Sequence, residues 1–337
     1  MELNTRIQTL SEWGARIQNI PDQERDNLFV KAKNKNGWFT QENCKYCFRE
    51  IRKWLTEEAL TTWLNGYTIQ ETSSPQQVGL VMAGNIPLVG FHDFLSVLIT
   101  GHNARIKLSS QDNELLPYLT RLLIEVDARW ENAFHYVDRL NDMGAVIATG
   151  SDNSSRYFEH YFSDIPRIIR KNRTSLGIIM GEENPEEFTK LAADVFTYFG
   201  MGCRNVSKLF IPENFDLQTL SEPFSGYQTI LQHNKYANNY DYQKAIRLMS
   251  SQPFQDMDFF ILEKSNELVS PIGVLYYEHY SDQDQLAQLI AGQEEKIQCI
   301  VSAQGWFKGS IPFGKAQQPA LNDYADGVDT LKFLLAL

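Results

Sequence analysis

Short apolar runs alternate with helix-patterned stretches from residue 78 to residue 212, and this alternation narrows the chain to few folds. VGLVMAG (78–84), ARIKLS (104–109), GAVIATG (144–150), SLGIIMG (175–181) and VSKLFIP (206–212) have the length and branched residues of buried strands. Between them, PLVGFHDFLSVLITG (87–101), NELLPYLTRLLIEVDARW (113–130), a helix start at SDNSSRYFEHYF (151–162) and PEEFTKLAADVFTYFG (185–200) read as helices. Strand and helix in turn predict parallel βαβ units and an α/β class. Residues 1–75 read as mostly helical. Beyond 212 the pattern is less regular, with strands at DFFILE (258–263), GVLYYEHY (273–280) and KIQCIVSA (296–303) and a helix at 282–292. The 337 residues suffice for two domains or one large one.

In open parallel sheets ligands bind beyond the carboxyl ends of the strands. The features there are the Gly84-Asn85-Ile86-Pro87 turn, Lys107 with Ser109 and Ser110, and Thr149-Gly150-Ser151. A turn amide, an ammonium and a glycine-serine helix N-terminus together suit a phosphorylated ligand. Each also has a plain structural reading, as a turn former, a solvated strand end and a helix cap. The second notable feature is Cys203 in YFGMGCRNVSKLFIP (198–212), a thiol between a helix and a strand with glycines before it and Arg204 after it. The thiolate is the nucleophile, and a neighbouring cation favours it. A cysteine is more often just a small buried hydrophobe. GMGCRN starts like a dinucleotide fingerprint but lacks the third glycine, and a helix rather than a strand precedes it.

Composition excludes several classes. A net charge of −11 argues against nucleic-acid or anionic-membrane binding as the main role. No apolar run approaches the roughly 20 residues of a membrane span, and the N-terminus lacks a signal-peptide pattern. Four cysteines in a chain this long are not a disulfide framework, so a reducing cytoplasm is the expected home. Cys44 and Cys47 form a CxxC without a second ligand pair. With Phe48 and Ile51 at helical spacing, they read as a buried helix face rather than a metal site, and Cys299 reads as strand core. Arg167, Arg170, Lys171 and Arg173 form a basic run suited either to phosphates or to a solvated edge. His160 reads as a helix-face residue among aromatics more readily than as an acid-base group.

Taken in order, these segments resemble the aldehyde dehydrogenase superfamily, and in particular its acyl-CoA reductase branch, to which the fatty-acid reductase of bacterial bioluminescence belongs. The resemblance runs from about residue 78 to the C-terminus. VGLVMAGNIPL is similar to the segment whose asparagine helps form the oxyanion hole, here Asn85. ARIKLSSQDNELL is similar to the strand whose lysine binds the adenosine ribose and phosphate, here Lys107. IATGSDNSSRYF matches the glycine-serine cofactor turn, giving Gly150 and Ser151. Cys203 falls on the nucleophile. NELVSPIGVL matches the segment whose glutamate holds the nicotinamide ribose, here Glu267, and IPFGKAQQP the C-terminal proline-phenylalanine-glycine run. The resemblance implies two domains, each on a largely parallel sheet flanked by helices. Residues 1–177 would hold a helical segment and the dinucleotide-binding domain, 178–315 the catalytic domain, and 316–337 a segment packing back on the core.

The superfamily's water-activating glutamate falls on Ser175. That change would impair aldehyde oxidation but not acyl-CoA reduction, where hydride discharges the acyl-cysteine. The resemblance therefore implies reduction of a fatty acyl-CoA, or another acyl thioester, to an aldehyde, with a homo-oligomer left open. A ribose-binding glutamate of NAD-using members falls on Ser110, which implies NADPH as the cofactor. The rival readings are a binding or scaffold protein on a degenerate fold, and a cysteine acyl hydrolase.

Overall fold

The computed structural model describes residues 1–69 and 74–337. In chain order its elements are α1 (Leu3–Gln18), α2 (Asp22–Lys35), α3 (Gln41–Trp54), α4 (Glu57–Leu64), β1 (Gln77–Val81), α5 (Phe91–Thr100), β2 (Asn103–Lys107), α6 (Leu115–Val126), β3 (Phe134–Tyr136), β4 (Ala145–Thr149), α7 (Asp152–Tyr161) and β5 (Arg167–Arg170). There follow β6 (Thr174–Ile178), α8 (Pro185–Phe196), β7 (Val206–Pro212), α9 (Ser221–Phe224), α10 (Asn234–Ser250), β8 (Gln255–Asp256), β9 (Ile261–Lys264), β10 (Val274–Tyr280), α11 (Gln283–Ile290), β11 (Ile297–Ser302), β12 (Ile311–Pro312) and α12 (Thr330–Leu335). The chain divides into two compact units, one of residues 1–172 with 320–337, the other of residues 173–319. These borders lie a few residues from 177/178 and 315/316.

The first unit holds a five-stranded, all-parallel sheet in the order β3-β2-β1-β4-β5. Strand order reverses at β1: β2 and β3 extend to one side of it, β4 and β5 to the other. Strands β1 and β4 are buried along nearly their whole length, as parallel strands covered on both faces must be. The N-terminal helices turn large apolar side chains inwards. Leu10, Trp13, Phe29, Phe48 and Trp63 are buried, and the Trp13 indole donates to the Leu119 carbonyl at 2.7 Å, fastening α1 to α6. Cys44 and Cys47 lie on the buried face of α3 with Phe48 and Ile51.

Three details depart from the sequence pattern. The helix expected over 87–101 begins only at Phe91, because residues 84–90 form a turn in which Leu88 takes a left-handed backbone (φ 55°). The basic run is not a loose edge. Its first four residues are strand β5, and Arg170 is buried, with its guanidinium on Asp93 (2.6 and 3.1 Å), the Ala325 carbonyl (2.6 Å) and Thr330 (2.9 Å). Lys171 pairs with Glu159 at 2.9 Å. His160 sits exposed on α7 rather than packed among aromatic rings.

The second unit holds a seven-stranded sheet, β12-β11-β6-β7-β10-β9-β8, parallel except for the short β8–β9 pair. Its central strand β7 is buried from Val206 to Ile211. A lysine inside that strand, Lys208, is tolerated because it pairs with Glu278 on neighbouring β10 and lies 5.0 Å from the Phe210 ring. Helix α8 starts with a capping box: Asn184 accepts from the Glu187 N–H, Glu187 accepts from the Asn184 N–H, and Pro185 opens the helix. Among the described residues no helix is long and apolar enough to cross a membrane.

Candidate active site

In the first unit the features singled out in the sequence converge at one place. The carboxyl ends of β2, β1 and β4 lie side by side, with Val81 in register with Lys107 on one flank and Ala148 on the other. Strand order reverses at β1, and the carboxyl edge beside such a reversal is the usual position for a ligand in a doubly wound sheet. The turn carrying Asn85 leaves β1. Lys107, exposed, ends β2, and exposed Ser110 follows it. Gly150 and Ser151 leave β4 into α7, where Ser151 caps the helix by accepting from the Ser154 N–H.

Glycine is needed at two points along this edge. A Cβ on Gly84 would stand 2.6 Å from Ser109 Oγ and 3.2 Å from the Asp112 N atom, and one on Gly150 would stand 2.8 Å from Ser154 Cβ. The Asn85 turn and the 107–112 loop are therefore in backbone-close contact. The amino end of α7 leaves the Gly150–Ser151 turn with unsatisfied amides, as any helix start does, and suits a diphosphate. The residues present fit a dinucleotide.

In the second unit Cys203 occupies the loop before β7. The approach is strained: Tyr198, Phe199 and Gly200 lie consecutively in the left-handed region (φ 55°, 60° and 77°). Two bulky aromatic residues there cost of order 1–3 kcal/mol each, so the surroundings must hold them. Asn205 is the chief holder. Its buried side chain donates to the carbonyls of Asp194, Val195 and Thr197 (3.1, 3.2 and 2.7 Å) and accepts from the Gly202 N–H (2.8 Å). The Phe199 ring lies 4.4 Å from that of His233.

Cys203 itself is half-buried. Its carbonyl accepts from Ser175 Oγ at 3.0 Å, and the same hydroxyl lies 3.1 Å from Cys299 Sγ on β11. Arg204 is buried and donates to the Ala316 carbonyl at 3.2 Å. The Asp194 carboxyl accepts from the amides of Gly314 and Ala316, so the 311–319 run is moored behind the loop. Burial pushes the Asp194 carboxyl up to about 7, against these two amide bonds. Glu267 is exposed in the 265–273 connection. Its neighbour Leu268 accepts from Ser207 Oγ at 2.6 Å, which brings this connection to the amino end of β7, beside the Cys203 loop.

Each unit thus assembles its own share of the expected residues: Asn85, Lys107, Ser110, Gly150 and Ser151 in one, Cys203 and Glu267 in the other. Sequence reading missed the groups that support them. Asn205 stands two residues from Cys203 and was open to notice as a loop-forming asparagine. Cys299 and Asp112 carry no local signal.

The chain has the aldehyde dehydrogenase fold. It superposes over its full length on aldehyde dehydrogenase 21 from Physcomitrella patens, covering 84% of that chain, with a TM-score of 0.71 at 12% identity. It covers 90% of itself and 72% of aldehyde dehydrogenase C from Pseudomonas syringae, whose structure holds NAD+ and octanal (TM-score 0.65, 10% identity). An NAD+ complex of an aldehyde dehydrogenase from Bacillus cereus matches with a TM-score of 0.63 at 12% identity, covering 90% of this chain and 72% of that one. No family model and no curated protein matches the sequence.

These matches correct the cofactor expectation. The dinucleotide in the matched complexes is NAD+, in two further structures of indole-3-acetaldehyde dehydrogenase as well, and NADPH does not stand. The physical reason lies in Ser110. A hydroxyl both donates and accepts, so it serves ribose hydroxyls as well as a phosphate. The missing carboxylate at that position does not make a 2′-phosphate site.

Proposed function

We propose that the chain is an oxidoreductase that reduces an acyl thioester, such as a fatty acyl-CoA, to an aldehyde with NADH, through an acyl-cysteine at Cys203. The observation that carries this reading is Ser175. It is fully buried, and its hydroxyl contacts the Cys203 carbonyl and the Cys299 thiol. In aldehyde-oxidising relatives the resemblance puts a carboxylate here to draw a proton from water. A serine hydroxyl is far too weak a base for that, which favours an acyl-enzyme discharged by hydride.

Cys203 thiolate attacks the thioester carbonyl, the C–S bond to the carrier breaks, and the carrier thiolate leaves. The Cys203 backbone N–H and the Asn85 side chain are assigned to the oxyanion, each such donor being worth about 10²–10³ in rate. Lys107, Ser110, Gly150, Ser151 and Glu267 are assigned to the dinucleotide, which when bound supplies the hydride. Collapse of the resulting thiohemiacetal on sulfur releases aldehyde and returns the cysteine. The cytoplasm, where thiols stay reduced, suits such a nucleophile.

The test incubates the protein with NADH and a panel of straight-chain acyl-CoAs while trapping aldehyde. One aldehyde per NADH oxidised is expected, with the acyl adduct on Cys203 by mass spectrometry and none in Cys203→Ala. Free acid formed without NADH oxidation would point to a hydrolase. An adduct on Cys44, Cys47 or Cys299 would remove Cys203 from the role.

A further inference from the structure

The Gly84–Leu88 turn, which carries Asn85, is gripped from three separate segments. Asn36, 5% exposed at the end of α2, donates through Nδ2 to the Gly84 carbonyl at 2.8 Å. Cys47, on α3, donates through its thiol to the Pro87 carbonyl at 3.2 Å. Asp112, 7% exposed, accepts at 2.7 Å from the N–H of Leu88, the residue held in the left-handed region. The three bonds engage two peptide groups of one five-residue turn: Asn36 holds the 84–85 peptide, while Cys47 and Asp112 hold the carbonyl and the N–H of the 87–88 peptide. The Asn36 side chain is itself fixed, since its Oδ1 accepts from the Trp38 N–H at 3.1 Å. Asp112 is anchored by its own N–H, which donates to the Ser109 carbonyl at 3.1 Å.

A left-handed leucine is unfavourable by itself and persists only where its surroundings over-determine it. Neutral hydrogen bonds to the two carbonyls and a charge-capable acceptor on the N–H supply that determination. Part of the N-terminal helical region, which the resemblance leaves unexplained, then has a task.

We propose that Asn36, Cys47 and Asp112 are positioning residues that set the conformation of the Gly84–Leu88 turn and, through it, the aim of the Asn85 amide. The proposal rests on the assignment of Asn85 to the oxyanion. A displacement of about 1 Å in such a group can cost on the order of 10²-fold in rate. The three side chains act only through the turn, so their effects depend on Asn85 being there.

The test uses the full chain and p-nitrophenyl acetate. The Cys203 sulfur attacks the ester carbonyl, the C–O bond breaks, p-nitrophenolate leaves and the acetyl group stays on sulfur. The burst of phenolate reports acylation without NADH. Asn36→Ala should slow the burst about tenfold, with half-saturation by the ester little changed. Cys47→Ala and Asp112→Ala should act likewise, whereas Cys47→Ser and Asp112→Asn, which keep a donor and an acceptor in place, should recover most of the rate.

In an Asn85→Ala background the Asn36→Ala effect should shrink to under about twofold, since a residue acting through another loses its effect when that other is gone. Amide exchange across residues 84–90 should quicken in Asn36→Ala relative to the wild type. Unchanged exchange there, or full additivity with Asn85→Ala, overturns the proposal. Should Asn85→Ala alone leave the burst untouched while exchange quickens in Asn36→Ala, the oxyanion role of Asn85 fails and the link from turn to chemistry fails with it, yet the grip on the turn stands. Asn36→Asp, which keeps the acceptor to Trp38 and removes the donor to Gly84, replaces the alanine variant if that one does not fold.

Discussion

Asn205 shows how a single polar side chain can set the loop that carries Cys203. It is buried, and its four hydrogen bonds tie the end of α8, the Thr197 carbonyl just before the left-handed run and the Gly202 amide just after it into one turn. Asn205→Ala strands these groups without partners. An unfolding free energy lower by about 2–3 kcal/mol is expected in urea titration, together with slower acylation of Cys203. Asp112 adds a pH dependence. Burial raises its carboxyl from 3.8 to about 7. Between those values the folded chain keeps a proton that the unfolded chain has lost, so this group's contribution to stability falls as pH rises through the window. Burial lowers His92 and His102, whose contributions run the opposite way near neutrality. The clean measurement is therefore a difference. The stability of Asp112→Asn relative to the wild type should rise steadily from pH 4 to pH 8 and level off above. A flat difference would mean that Asp112 titrates alike in both states.

At the scale of elements, local chemistry explains where helices begin and turns close. The capping box of α8 and the Thr40 cap of α3 satisfy amides that a helix start leaves bare. Asn184→Ala should lower stability by about 1 kcal/mol and raise amide exchange in the first turn of α8, with little effect on NADH affinity. The start of α5 shows the limit of such reading. Pro87 fits a helix's first turn by residue type, yet the helix waits until Phe91. Bonds from Asn36, Cys47 and Asp112 favour a turn there, and their partners stand 48, 40 and 24 residues away. Strand β5 was hidden for a related reason. Its arginines read as a charged edge, because the carboxylate that takes Arg170 indoors is 77 residues off.

Arg170 also matters to the first unit as a whole. It joins β5 to α5 through Asp93 and to the 320–337 segment through Ala325 and Thr330. Arg170→Met leaves a buried carboxylate alone and should lower stability by about 3–5 kcal/mol. Arg170→Met with Asp93→Leu removes both charges and should recover much of that loss in the same denaturation assay. Sequence by itself determined the α/β class, since strand and helix periods are written locally in apolar spacing. It also determined the loop with Cys203 and the glycine-serine turn at Gly150 and Ser151, whose residue types act on their immediate neighbours. Tertiary structure alone decided the order of the strands, and with it the reversal at β1 that gathers Asn85, Lys107 and Gly150 at one edge. It alone decided which distant side chains hold the Asn85 turn, and that residues 320–337 return to the first unit. Such choices rest on burial and hydrogen bonding between segments far apart in the chain, where no local pattern records the partner. Ser110 is the sharpest instance: one hydroxyl, able to donate and to accept, does not by itself choose between a ribose and its phosphate.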